Sequence, residues 1–170
     1  RVFLSHDEAD GYRHHSASRR SNLHANAGWR SGGVENRTYL SYTDLKFDIP
    51  NVITRDRLRQ DPRSVLGDYD TPQDRATNIY LRDPNRDTRQ LRLANRTSWG
   101  DESLRHILGV YWQKVDDTFT SPALSSPTDG HTLGLQWSAE GRSGRLAYRL
   151  GMNWARTDMD RDMRTVSATG

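Results

Sequence analysis

The sequence contains no cysteine. Disulfides, iron–sulfur clusters and thiolate zinc sites are therefore excluded. Lysine occurs only at Lys46 and Lys114, so nearly all positive charge is arginine. The formal net charge is only +3, dispersed along the chain rather than gathered in a basic block. Nucleic acid is not an expected partner. No apolar run reaches the length of a transmembrane helix. Hydrolase, phosphate-loop and zincin motifs (Gly-x-Ser-x-Gly, Gly-x-x-x-x-Gly-Lys, His-Glu-x-x-His) are all absent. Asp116 and Asp117 are strand neighbours that face apart, a poor acid/base pair. No enzymatic activity and no cofactor are expected. At 170 residues the chain fits one domain. A mean hydropathy of −0.95 with 33% apolar residues resembles a soluble or partly disordered protein. That average does not discriminate against a transmembrane barrel, where half of each strand faces water.

What is present is a period of two. In Arg145–Trp154 one parity reads Leu146, Tyr148, Leu150, Met152, Trp154, and the other Ala147, Arg149, Gly151, Asn153. Leu91 and Leu93 alternate with Gln90 and Arg92, Leu108, Val110 and Trp112 with Gly109, Tyr111 and Gln113, and Leu133, Leu135 and Trp137 with Gly134, Gln136 and Ser138. This predicts strands with one apolar and one polar face. About seven are expected, over roughly 1–8, 12–29, 34–49, 87–99, 104–119, 131–140 and 145–158.

Three connections are tight and rich in turn formers: Ser31–Gly33, Gly100–Ser103 and Gly141–Gly144. Those between them, Asp7–Gly11, Pro50–Arg86 and Ser121–Gly130, are longer or more variable. Short turns at one rim and long loops at the other suit an outer-membrane barrel. Trp29, Trp99 and Trp137 lie near the tight turns, whereas Trp112 and Trp154 follow one by about eight residues. All five share the apolar parity, so two aromatic girdles roughly 20 Å apart are expected. The fold class is an all-β antiparallel meander, a partial transmembrane barrel whose apolar parity forms the convex face. The luminal face should carry Arg92, Arg96, Gln113, Gln136, Arg149 and Asn153.

Segment 50–86 has a different grammar. Thr54 can cap a short helix over Arg55–Gln60 that Asp61-Pro62 stops. Arg55, Arg57, Arg59 and Arg63 cluster there and could attract an anionic ligand. Asp56 and Asp61 interleave with them, which leaves a self-paired solvated loop as the alternative. His14-His15 on a strand would point to opposite faces, and His6, His24, His106 and His131 lack ligand spacing. No metal site is expected. Asn36-Arg37-Thr38 and Asn95-Arg96-Thr97 match a glycosylation sequon, which is uninformative here.

The run Glu35-Asn36-Arg37-Thr38-Tyr39-Leu40-Ser41-Tyr42, followed by Ile49-Pro50, Ile53-Thr54, Leu58 and Asp61-Pro62, resembles the mid-barrel region of TonB-dependent outer-membrane receptors. Asp10–Ser16 resembles another hairpin of that region. Arg92-Leu93-Ala94-Asn95, leading into Gly109-Val110-Tyr111-Trp112, resembles its returning hairpin. Within the family the likeness is to ferric-citrate and related siderophore receptors, and it covers most of the chain. The resemblance implies a 22-stranded bacterial outer-membrane barrel with an N-terminal plug, energised through TonB, that admits a ferric siderophore or similar metal chelate. Its implied partners are that ligand, outer-membrane lipid, the plug and the TonB complex. The chain opens in a strand-like stretch and closes after Asp158–Arg164, so residues 1–170 are expected to be a barrel fragment without the plug. A porin or autotransporter barrel, or a soluble β-sandwich that binds a glycan or protein, are the alternatives.

Overall fold

The computed structural model describes residues 1–101 and 103–165. The strands are β1 (Val2–Ala9), β2 (Ser18–Ser31), β3 (Val34–Asp48), β4 (Asn85–Gly100), β5 (Leu104–Thr120), β6 (Leu124–Ser143), β7 (Leu146–Arg161) and β8 (Arg164–Thr165). They form one antiparallel sheet in the order β1 to β7, with β8 beside β6. β8 keeps the register of β7 on β6: Thr128 faces Arg161, and Ser125 faces Arg164. It is thus a continuation of β7. The ladder breaks opposite Pro127, whose carbonyl accepts the Asp162 N–H at 3.1 Å but which has no N–H to return. The meander of seven strands is as expected.

Each register runs without a bulge, so parity is preserved from strand to strand. One ladder row reads Leu40, Leu93, Trp112, Leu133, and another Thr38, Asn95, Val110, Leu135, Trp154. Leu91, Leu93, Leu108, Val110, Leu133, Leu135, Leu146, Leu150 and Met152 therefore share one face. Among the described residues no second sheet covers it: Leu133 is 44% exposed, Trp154 50% and Leu150 62%. The opposite face holds Arg92, Arg96, Gln113, Gln136, Arg149 and Asn153. Hollows of about 760 and 330 Å³ lie on that polar face. There Arg105 of β5 reaches past β4 to within 3.8 Å of Glu35 on β3.

The two boundaries of the apolar face are parallel. At one rim, Glu35 is one residue from its turn. Ser138, on the same ladder row, is five residues from Ser143, where its strand ends. The rim therefore slips four residues over the four strand spacings between these hairpins. At the other boundary the last apolar residues are Tyr42 and Leu91, then Trp112 and Leu133 one step lower, then Trp154 one step lower again. That slip is also four residues over four strands. Beyond it the same face carries Asp44, Arg89, Asp116, Asp129 and Asp160 in a single row. A slip of one residue per strand, with a rise near 3.3 Å and a spacing near 4.8 Å, corresponds to a strand tilt of about 35°. The apolar band between the boundaries is then roughly 22 Å high, close to the ~25 Å of outer-membrane barrels.

Several boundaries differ from expectation. Residues 12–17 are not strand, so the expected strand 12–29 begins at Ser18, and the first connection is 10–17 rather than Asp7–Gly11. The expected loop Ser121–Gly130 shrinks to the turn Ser121–Ala123, because β6 starts at Leu124 rather than 131. The Ser121 hydroxyl accepts the N–H groups of Ala123 and Leu124, which supplies the turn locally. Loop length is thus less segregated than expected. What marks the far rim is strands that outrun the apolar band. The expected turn Gly141–Gly144 moves to Gly144-Arg145, with β6 running to Ser143. Trp137 consequently sits six residues from its turn, above Trp29 and Trp99, and stacks through His106 onto Trp99 with centroid separations of 5.9 and 5.3 Å. Trp112 and Trp154 do share the outer boundary.

The two sequon-like triplets are cross-strand neighbours on the apolar face. Asn36 and Asn95 exchange side-chain bonds of 3.0 and 3.1 Å and also bond Thr97 and Thr38. Mutual pairing satisfies these polar groups without recourse to water.

The hairpins depend on glycine in two different ways. Gly32 and Gly33 both have positive φ and open space around the missing Cβ, while Gly100 (φ 107°) has the Leu104 carbonyl oxygen 2.1 Å from where a Cβ would stand. Gly32→Ala should cost about 1 kcal/mol for its left-handed φ alone. Gly100→Ala should cost more, up to about 3 kcal/mol. Urea unfolding midpoints of the two variants in detergent micelles check this order.

Candidate functional site

The apolar sheet face leaves the chain's small folded core elsewhere, in the connection 49–84. Val65, Leu66 and Ile79 are buried there with Ile53 packed against them. Three short helices frame it: α1 (Arg55–Gln60), α2 (Pro72–Ala76) and α3 (Ile79–Arg82). Each begins at a side-chain cap. Thr54 accepts from the Arg57 N–H as expected, Thr71 from that of Asp74, and Asn78 from those of Tyr80 and Leu81. Asp61 closes α1, also as expected.

An ion pair holds the core. The Arg57 guanidinium donates to both carboxylate oxygens of Asp74, at 3.0 and 2.8 Å, and to the Val65 carbonyl at 2.8 Å. It also lies 4.3 Å from the centre of the Tyr69 ring. Asp74, 1% exposed, further accepts from the Gly67 N–H at 2.6 Å and the Thr71 hydroxyl. The Arg57 bonds lead a set that holds its carboxyl well below the usual range, against the opposing effect of burial. At Asp68 burial raises the carboxyl, but Tyr80, the Val65 N–H and His14 together outweigh it and the net shift is downward. Burial, then the bond to Asp68, push the Tyr80 hydroxyl up to about 12.

The loop is docked onto connection 10–17. Arg13 donates to the carbonyls of Asn51 and Ser64, both at 2.8 Å. The His14 N–H bonds Arg63 O at 3.0 Å, and Arg63 Nε returns a bond to Tyr12 O at 3.1 Å. The His14 ring meets Asp68 at 3.0 Å.

The four arginines expected to act together are divided by this arrangement. Arg57 is inside the loop. Arg59 is exposed, 3.9 Å from Asp56. Arg63 is exposed with its Nε engaged by Tyr12. Arg55 is exposed, with no hydrogen bond or ion pair among the described residues. A hollow of about 560 Å³ beside α1 is lined by Thr54, Asp56, Arg57, Gln60, Tyr69 and Gln73. Arg13, Asp68 and Asp74 were not singled out by sequence. Arg13 reaches Asn51 and Ser64, Asp68 reaches His14 and Asp74 reaches Arg57, all distant in sequence, and a local signal is the Thr71-Pro72 start with Asp74 at the third helical position.

No protein-family model and no curated protein sequence matches the chain. Among solved structures, the ferric citrate transporter FecA in its unliganded form is similar, with a TM-score of 0.79 and 12% identity, over 99% of this chain and 25% of that one. The chain spans about a quarter of that transporter's length. The likeness establishes the fold as a segment of a barrel of that kind.

The loop's charge network has a defined pH response. A carboxyl lowered on folding contributes stability that is full above its ordinary value, near 3.9, and lost as acid protonates it. Tyr80, raised on folding, contributes below its ordinary value near 10 and loses that contribution as pH rises toward 12. Protection factors of the 49–84 amides, with exchange corrected for its intrinsic pH dependence, should therefore be constant from about pH 5 to 9 and fall below about pH 4 and above about pH 10.

Proposed function

We propose that the chain is part of the barrel of a TonB-dependent receptor in the bacterial outer membrane, and that the whole receptor takes up an anionic metal chelate such as a ferric siderophore. The observation that carries the membrane reading is the pair of parallel boundaries on the exposed face. A soluble sandwich buries such a face under a second sheet and has no reason to end it along two lines of equal slip. The folded neighbour, a ferric citrate transporter by name, supports transport over a porin or autotransporter. In this reading the polar face lines the lumen and meets water and the plug, and energy comes from the TonB complex through parts of the receptor outside this chain.

A charge test separates the two faces. Leu108, near mid-band on the apolar face, replaced by Arg should cost about 2–4 kcal/mol of barrel stability in a bilayer. Ser138→Arg, at similar depth on the polar face, should cost less than about 1 kcal/mol. Folding titrations into lipid vesicles measure both, and equal costs would refute a membrane-facing band.

In the whole receptor the loop 49–84 is on the extracellular side, where its exposed arginines help to capture the chelate. Arg55, Arg59 and Arg63 are the residues that can face a ligand, and Arg57 serves by holding the loop's shape. Removing one charge-assisted contact costs about 1.5–3 kcal/mol, roughly tenfold or more in affinity. The triple replacement of Arg55, Arg59 and Arg63 by Ala in the intact protein should thus weaken ferric citrate binding at least about tenfold while leaving membrane insertion unchanged. Binding to outer membranes with and without the substitutions checks this, and equal affinity would remove these arginines from the site.

A further inference from the structure

Three separate segments meet where loop 49–84 joins the sheet: His15 from connection 10–17, Asp48 at the end of β3, and Asp83 just past α3. One donor atom from each lies within 4.8 Å of the others. The His15 Nε2 atom is 3.0 Å from the Pro84 carbonyl oxygen and 3.6 Å from Asp83 Oδ1. Metal–nitrogen and metal–oxygen bonds of about 2.0–2.2 Å at tetrahedral or octahedral angles put adjacent donors roughly 2.9–3.6 Å apart. The His15, Asp83 and Pro84 atoms therefore already stand at the spacing of neighbouring corners of one coordination sphere, and Asp48, within 4.8 Å of the other two side chains, completes the set by a small rotation of its carboxylate. The His15 side chain is only 10% exposed and packs edge-on to Tyr80, with 6.3 Å between ring centroids. Its ring is thus held in place before any ion arrives. Two carboxylates gathered on one imidazole repel each other, and a divalent cation turns that repulsion into attraction.

We infer that His15, Asp48 and Asp83, with the Pro84 carbonyl, bind one borderline divalent cation of the zinc type. One imidazole with oxygen donors suits zinc or manganese, whereas calcium prefers an all-oxygen shell of six to eight ligands, more than is assembled here. The ion fastens connection 10–17 to both ends of loop 49–84. It reinforces the Asp48 N–H bond to Ala17 O and the Ile49 N–H bond to Pro84 O, both 2.8 Å. The site is at the loop's base, separate from Arg55, Arg59 and Arg63, and takes the bare ion rather than a chelate. The pairing is invisible to a search for histidine spacing, because the ligands come from three places and His15 is in a loop, not on the expected strand.

The test is titration calorimetry of chelator-stripped intact protein in detergent micelles, with Zn²⁺ as the probe. One equivalent should bind. His15→Ala and Asp48→Asn should each weaken it by on the order of a hundredfold, and His14→Ala should leave it unchanged. Asp83→Asn, at an exposed side chain that puts folding at no risk, should also weaken it. Zn²⁺ should slow hydrogen exchange across 49–84 in the unsubstituted protein. No saturable Zn²⁺ binding, or an equivalent that survives both His15→Ala and Asp83→Asn, overturns the site. Displacement of Zn²⁺ by equimolar Ca²⁺ overturns the metal class.

Discussion

Everything in this chain depends on an unbroken hydrogen-bond register. A slip of one residue at any ladder would turn one strand's apolar parity to the polar face and leave charges such as Arg92 or Arg149 among leucines. The register is set by short glycine hairpins at one rim, and carried across seven strands without a bulge. In a bilayer the same ladder has a second duty, because each unpaired N–H or C=O there costs several kcal/mol. The one visible defect, opposite Pro127, lies beyond the charged boundary, where water can satisfy what proline cannot. The Asn36–Asn95 box shows the same constraint in side chains: amides within the band are tolerated because they bond one another.

Sheet and loop are stabilised by different physics. The sheet has almost no interior, and its apolar side chains remain exposed, a face that lipid would cover in the proposed membrane setting. The loop has a small conventional core with a buried ion pair at its centre. Burying Arg57 and Asp74 is costly, and the dense bonding of the carboxylate offsets it, while the buried Arg57 Nε is left without a partner among the described residues. Asp74 meets this with donors from Arg57, Gly67 and Thr71, which fix the loop's shape more than its overall stability. A rigid loop can present exposed arginines in fixed positions, and the ordering cost is then met on folding rather than on binding.

Much of the fold was legible in sequence because period-two alternation and turn chemistry are local signals. The apolar faces of β4 to β7, the Gly32-Gly33 hairpin and the Thr54 cap all follow from adjacent residues. The errors have a common cause. Residues 124–130 carry no apolar parity, so they read as loop, yet they continue β6 because backbone pairing with β5 does not require an apolar face. The turn composition of Gly141–Gly144 puts Trp137 near a turn, while the ladder holds Gly141 in the strand and the ring of Tyr148 covers it. The sequence also gives no sign that Arg57, one of four arginines clustered in the long loop, pairs with Asp74 in another helix. Non-local pairing of this kind leaves no periodic trace.

The edges of the sheet extend the argument beyond the chain. β1 and β7 each have one side with no partner among the described residues, and β7 is exposed throughout. In water such long edges invite aggregation, and in lipid they would leave whole rows of backbone groups unbonded. A tilt near 35° with one residue of slip per strand fits a closed cylinder in which every edge finds a neighbour. The two boundaries of the apolar band then run level around such a cylinder. In the proposed receptor, loop 49–84 would thereby take a fixed height over the mouth, as the proposed binding role requires.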